Sequence, residues 1–287
     1  MRVQSTAGGH PFEYLVSGPP DTGEPGVLLL PGLLGDAESL WQQIEDFERD
    51  HRVISLTYPD SPAVDVQLAA ISRALDEQGV EKVVAVGQTL GGFLAQAWAR
   101  EHPERTVGLA LVHASLPSPR LAARLRRDLA LMRLVPWPLL RGYLARALRK
   151  MIRGLASDPS VEPEQARVVS EHLRERFAGR LDKRRVLARY GLMANLHAGR
   201  APSPEEGGRL AGRVLILHSE SNVFARQLDR LKEVYPGARS AVMGRGHNLS
   251  LLIKPRESNR RIRELFSPMA PSGPFAAPGG EGDPRRA

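Results

Sequence analysis

Apolar residues in the first 115 positions fall into short continuous runs separated by longer periodic stretches. Residues 27–30 (Val-Leu-Leu-Leu), 53–56 (Val-Ile-Ser-Leu), 83–86 (Val-Val-Ala-Val) and 107–112 (Val-Gly-Leu-Ala-Leu-Val) are the runs. Their length and β-branched content predict strands covered on both faces, as in a parallel sheet. Between them, Leu40, Trp41, Ile44 and Phe47, then Val64, Leu68, Ile71 and Leu75, repeat at helical spacing. A third helix is predicted from Gly92 to His102, closed by Pro103. This alternation predicts an α/β architecture, a doubly wound and mostly parallel sheet with right-handed crossovers.

The pattern changes after Ser115. Residues 116–204 show helical periodicity, broken at Pro136, Pro138, Pro159 and Pro163, and contain no convincing strand. They are expected to form an inserted helical lid, with 201–208 as the return linker. A strand resumes at 214–217 (Val-Leu-Ile-Leu), followed by a helix over 224–235, a strand over 240–243 and a last helix over 249–266. Residues 267–287, rich in Pro, Gly and Ala, are expected to be a disordered tail. The expected core is therefore residues 1–115 together with 205–266.

Composition narrows the chemistry. The chain of 287 residues has no cysteine, which excludes disulfides, thiolate catalysis and thiolate metal sites. No run approaches the roughly 18 apolar residues of a membrane span, so no transmembrane segment is expected. The first residues lack a signal-peptide core, and a cytoplasmic location is the default expectation. The net charge of +8 is uneven: residues 116–200 hold 19 Arg/Lys against 7 Asp/Glu. A basic segment of this kind attracts acidic substrates, anionic lipid or nucleic acid, or is simply a solvated helical face. Nucleic acid is not expected as a partner, because no matching motif is present and aromatic residues are only 5%. Neither a cofactor nor a metal is expected, since no nucleotide-binding glycine pattern or ligand-spaced cluster occurs.

Three segments carry candidate chemistry. Gly87-Gln88-Thr89-Leu90-Gly91 follows a predicted strand and opens a predicted helix, matching Gly-x-Ser-x-Gly with threonine in the serine position. Leu217-His218-Ser219-Glu220-Ser221-Asn222 follows the strand at 214–217, and Gly244-Arg245-Gly246-His247 follows the strand at 240–243. Together, in this order, they resemble the nucleophile, acid and histidine landmarks of the α/β-hydrolase superfamily over residues 8–266. Gly91-Gly92-Phe93-Leu94-Ala95-Gln96 and Ile54-Ser55-Leu56-Thr57-Tyr58-Pro59 also resemble the maspardin-like branch, which is associated with protein binding more than with catalysis.

The superfamily resemblance implies a role for each position. Thr89 stands where the nucleophile sits, on a strained turn that a β-branched residue occupies poorly. His247 is the implied general base. Asn222 stands at the acid position, where the family usually has aspartate; asparagine orients a histidine but brings no charge. Glu220 is a substitute acid or a solvent-facing residue. The strand ending at Val112 offers only His113-Ala114-Ser115 as another place for the acid. The oxyanion donors are the backbone N–H groups of Leu33 and Leu90. Dehalogenases and epoxide hydrolases of this fold need an aspartate where Thr89 stands. His10, His51, His102, His113, His172, His197 and His218 read as surface, strand-end or lid residues.

Two functions follow. One is a slow hydrolase acting on a small ester- or thioester-type acyl substrate. The other is a catalytically inactive relative, with a degenerate triad, that binds a ligand or a protein partner through the pocket and the basic lid.

Overall fold

The computed structural model describes residues 1–21, 23–220, 227–244 and 248–266. Its centre is one eight-stranded sheet in the order β1-β2-β4-β3-β5-β6-β7-β8. The strands are β1 (Arg2–Ala7), β2 (His10–Ser17), β3 (Gly26–Leu30), β4 (Val53–Thr57), β5 (Val83–Gln88), β6 (Thr106–Val112), β7 (Val214–His218) and β8 (Arg239–Val242). Strand β2 pairs antiparallel with β1 and β4, and all other pairings are parallel. The α/β expectation holds, and every central run became a strand.

The continuous apolar runs hide a strict alternation. Leu28, Leu30, Val83, Ala85, Leu109, Leu111, Val214 and Ile216 belong to one core. Val27, Leu29, Val84, Val86, Ala110, Val112, Leu215 and Leu217 belong to the other. Successive side chains leave opposite faces of a strand, so both faces must be covered. On the first face lie α2 (Val64–Glu77) and α3 (Leu90–Glu101), through Ile71, Leu75, Leu94 and Trp98. On the second lie α1 (Trp41–Phe47), α10 (Ser250–Ile253) and α11 (Pro255–Arg263), through Phe47, Leu251 and Ile262.

Between β6 and β7 come α4 (Pro119–Leu134), α5 (Trp137–Ala156), α6 (Pro163–Arg180), α7 (Lys183–Ala198) and α8 (Pro204–Gly208). Helix α4 packs on α7, α5 on α6, and α7 on α3 of the sheet layer. Ser118 and Asp182 cap α4 and α7, accepting from Leu121 N–H and Arg185 N–H at 3.5 and 2.8 Å. No helix among the described residues is long and apolar enough to cross a membrane.

The structure departs from expectation in four places. The N-terminal hairpin β1–β2 was not foreseen; it turns at Gly8 and Gly9, both at positive φ (54° and 76°), as a two-residue hairpin turn requires. The linker at 201–208 contains α8, whose Ser203 and Glu206 form a reciprocal capping box. The last helix is two, α10 and α11, because Pro255 lacks an N–H and holds Lys254 at φ −131°, ψ 56°. Within the helix expected over 224–235, α9 spans Leu228–Val234. The expected tail, 267–287, lies outside the described residues.

Packing is very close where α3 meets β3. A Cβ on Gly91 would stand 1.9 Å from the Leu30 carbonyl oxygen, and one on Gly87 2.3 Å from that of Gly91. Gly208 has open space around the same position. Gly91→Ala is therefore expected to cost about 3 kcal/mol or more in urea unfolding, while Gly208→Ala stays within about 1 kcal/mol of the natural chain.

Candidate active site

The site begins with backbone strain. Thr89 joins β5 to α3 at φ 47°, ψ −108°, a region a β-branched residue enters at a cost of about 1–3 kcal/mol. Neighbours hold it there. Its N–H donates to Val112 O at 2.8 Å, and its carbonyl accepts from Gly92 N–H at 3.0 Å and Phe93 N–H at 3.3 Å. The Thr89 side chain makes no helix-capping bond, so its hydroxyl is not committed to α3. Instead Oγ1 lies 2.8 Å from where a Cβ on Gly32 would be, tight against the glycine turn after β3.

That turn is fixed from several sides. Gly35 N–H donates to Gly32 O at 3.0 Å, and Tyr58 Oη donates to Pro31 O at 2.8 Å. Arg189 of α7 stacks over the Tyr58 ring at 4.6 Å and donates to Tyr58 O at 3.0 Å. Burial pushes the Arg189 guanidinium down to about 10 and the Tyr58 phenol up. Arg176 of α6 donates to Asp36 at 3.3 Å and also binds Glu38, tying the turn to the helices after β6. The N–H groups of Leu33 and Leu90 donate to no acceptor among the described residues. Leu90 opens α3, where unpaired N–H groups and the helix dipole favour an anion.

Thr89, Gly32 and Leu33 share one cavity of about 410 Å³. Helix α5 contributes Leu144, Leu148 and Met151 to its walls, α6 contributes His172, Arg176 and Phe177, and Tyr190 comes from α7. The lining is mainly apolar. His172 stacks on Trp41 at 4.0 Å, and burial lowers its pKa against the opposing pull of Asp36 and Glu175. A larger hollow of about 590 Å³ lies at Arg2, Glu13, Asp60 and Arg185. Its charges pair across it, Arg2 with Glu13 and Arg185 with Asp60, and no elbow residue lines it.

Of the predicted site residues, Thr89 and Leu33 line one cavity, and Leu90 follows Thr89 as the first residue of α3. Glu220 is exposed just after β7, its N–H bonded to Gly244 O at 3.0 Å, and it does not line the cavity. Asn222 and His247 lie outside the described residues. Asn248, next in sequence to His247, accepts from Gln88 Nε2 at 2.6 Å and lines the cavity. Gln88 has a visible place inside the motif, but nothing in the residue order indicated this bond. His172 and Arg176 carried no signal either, because their approach to Thr89 depends on how α6 docks. His113, at the alternative acid position, is buried at φ 49° with Nε2 2.9 Å from Ser250 Oγ.

A scan of family models matches the alpha/beta hydrolase family over residues 27–261. The chain belongs to this family. Among curated relatives, mouse epoxide hydrolase 4 is 30% identical over 118 residues, which is 37% of this chain and 32% of that protein. The chain thus spans about a third of that relative's length. Among solved structures, an enol-lactonase from Burkholderia xenovorans superposes with a TM-score of 0.68 at 16% identity, covering 92% of this chain and 99% of that one. The 2-hydroxy-6-oxo-6-phenylhexa-2,4-dienoate hydrolase of a Rhodococcus species gives 0.66 at 23%, covering 93% and 98%. For this alpha/beta hydrolase, likenesses so distant in sequence carry the fold alone.

Burial also sets a pH dependence. Desolvation, helped by His218, lowers His113 to about 4, and desolvation lowers His197 to about 4. Unfolded histidines take up a proton near pH 6.5, and these folded rings only near pH 4. The unfolded chain therefore binds more protons in between, and stability falls as pH drops through that window. Urea unfolding from pH 7 to 4 is expected to show a loss of about 1–3 kcal/mol from His113. His113→Asn, which tolerates the same backbone region, is expected to show a shallower loss.

Proposed function

We propose that the protein is a slow acyl hydrolase acting on ester- or thioester-type bonds in small apolar substrates. The observation that carries this is the Thr89 hydroxyl, uncommitted to helix capping and packed against Gly32 beside an apolar cavity. Thr89 Oγ1 attacks the acyl carbon as His247 takes its proton, and Leu33 and Leu90 N–H groups hold the oxyanion. The leaving group departs with the proton from His247. Water, activated by the same base, then releases the acid and restores Thr89. Asn222 orients His247. The bond from Gln88 to Asn248 supports this assignment, since it anchors the residue after His247 beside the elbow. Helices α4–α7 serve as a lid whose apolar lining selects the acyl group.

Epoxide hydrolysis is not carried over from the mouse relative's name, because epoxide hydrolases of this fold need an aspartate where Thr89 stands. The two substitutions in the triad favour low turnover. In a serine-protease triad, Asp→Asn alone costs about 10⁴ in kcat, or about 5.5 kcal/mol of barrier. Those same two residues favour a second reading, a catalytically inactive family member that binds a ligand or a protein partner, in line with the maspardin-like segments.

The two readings separate on labelling and turnover. Under the first, a fluorophosphonate probe labels Thr89, and Thr89→Ala abolishes both labelling and p-nitrophenyl ester hydrolysis. Thr89→Ser with Asn222→Asp is expected to raise kcat/KM by about 10²-fold or more. Absence of labelling in the natural chain, with no gain in the folded double variant, overturns the hydrolase reading.

A further inference from the structure

The corner between α4 and α5 turns large apolar side chains toward solvent. Leu131 is 59% exposed, Leu134 81%, Leu139 66% and Tyr143 70%. Leu131 and Leu134 lie one turn apart at the end of α4, and Leu139 and Tyr143 one turn apart at the start of α5. Only Val135 and Pro136 separate the helices. Isolated exposed leucines are ordinary, but four large apolar side chains exposed within residues 131–143, on both sides of one short turn, mark an interaction surface.

The corner is anchored from behind. Leu140 and Leu144, the alternate side of α5, are buried with Val186. Lys183 Nζ donates to Arg133 O and Val135 O, both at 2.8 Å, and so fastens the end of α4. The outward direction of the four side chains is therefore built into the packing.

The surrounding charge is one-sided. Residues 119–156, which span α4 and α5, contain ten Arg/Lys and a single acid, Asp128. Asp128 pairs with Arg124 at 3.8 Å. Arg127, Arg133, Arg141 and Arg146 stand exposed around the apolar group and form no ion pair among the described residues. Tyr143 lines the cavity that holds Thr89, so the corner borders the cavity wall.

We infer that this corner docks onto an anionic lipid bilayer, with Leu131, Leu134, Leu139 and Tyr143 entering the headgroup–acyl boundary and the flanking arginines meeting lipid phosphates. A bilayer supplies an apolar phase and negative charge in the same place. A nucleic acid supplies only the charge and leaves the leucines uncovered. A second copy of the chain, docked through the same corner, brings a like-charged surface against this one. The docking places the cavity wall at the bilayer surface, and it holds whether or not Thr89 turns substrate over.

The test is co-sedimentation of the full chain with vesicles of phosphatidylcholine, alone or with about 30 mol% phosphatidylglycerol. The bound fraction is expected to be about tenfold higher on the anionic vesicles at about 0.1 M salt, and to fall to the neutral-vesicle level near 1 M, where screening is complete within about 3 Å. Leu134→Glu with Leu139→Glu is expected to lower binding about tenfold with unchanged circular dichroism, because both side chains are exposed. Should that pair fail to fold, Arg133→Gln with Arg141→Gln carries the test, with a loss of about fivefold per charge. Equal binding to both vesicle types overturns the inference, as does binding that either folded variant leaves unchanged. Binding to an oligonucleotide but not to vesicles overturns it as well. So does a dimer, dissolved by the leucine substitutions, without vesicle binding.

Discussion

The architecture of the site depends on how closely the first turn of α3 approaches the end of β3. With hydrogen in place of Cβ at Gly87, Gly91 and Gly92, the helix start, the end of β5 and the Leu30–Pro31 backbone occupy space that any side chain would take. That approach sets the start of α3 against the Leu30–Pro31 backbone, which leads into the turn bearing Leu33. It also forces Thr89 into its strained conformation, with its hydroxyl against Gly32. The position of Thr89, the start of α3 and the cavity floor all follow from one close contact, which accounts for three of the six residues from 87 to 92 being glycine.

A floor of this kind is not a pocket until the helices between β6 and β7 enclose it. They also hold the floor in shape. Arg189 from α7 fixes Tyr58, which fixes Pro31 O, and Arg176 from α6 ties Asp36 and Glu38 of the same turn. Movement of α6 or α7 therefore reaches the segment carrying Leu33 through two or three polar contacts. The apolar walls of the cavity and the turn that carries Leu33 are coupled by construction.

Parts of the molecule were legible because they obey local rules. The runs at 27–30, 53–56, 83–86, 107–112 and 214–217 are too short for an ordinary helix and alternate with helical stretches, which together mark them as strands buried on both faces. The hairpin β1–β2 escaped because its strands alternate instead: Phe12, Tyr14 and Val16 face inward between partly exposed neighbours. Gly8-Gly9 was the available signal. The break before Pro255 was likewise written in the chain. Buried His113, His197 and His218 were not distinguishable from surface histidines, because burial of a strand end or a helix face depends on what packs over it.

Read as a string of residues, the chain already specified its fold family, the elbow with threonine at its tip, and the concentration of positive charge after β6. These depend on backbone sterics, alternation and composition, which act within a few residues. Tertiary structure alone decided that Thr89 and Gly32 would touch, that Gln88 would hold Asn248, and that His172 and Arg176 would wall the cavity. It likewise decided that Leu134 and Leu139 would face outward while Leu140 and Leu144 faced in. Each of these depends on the docking of elements far apart in the chain, set by the shape and burial of whole faces, about which neighbouring residues carry no information.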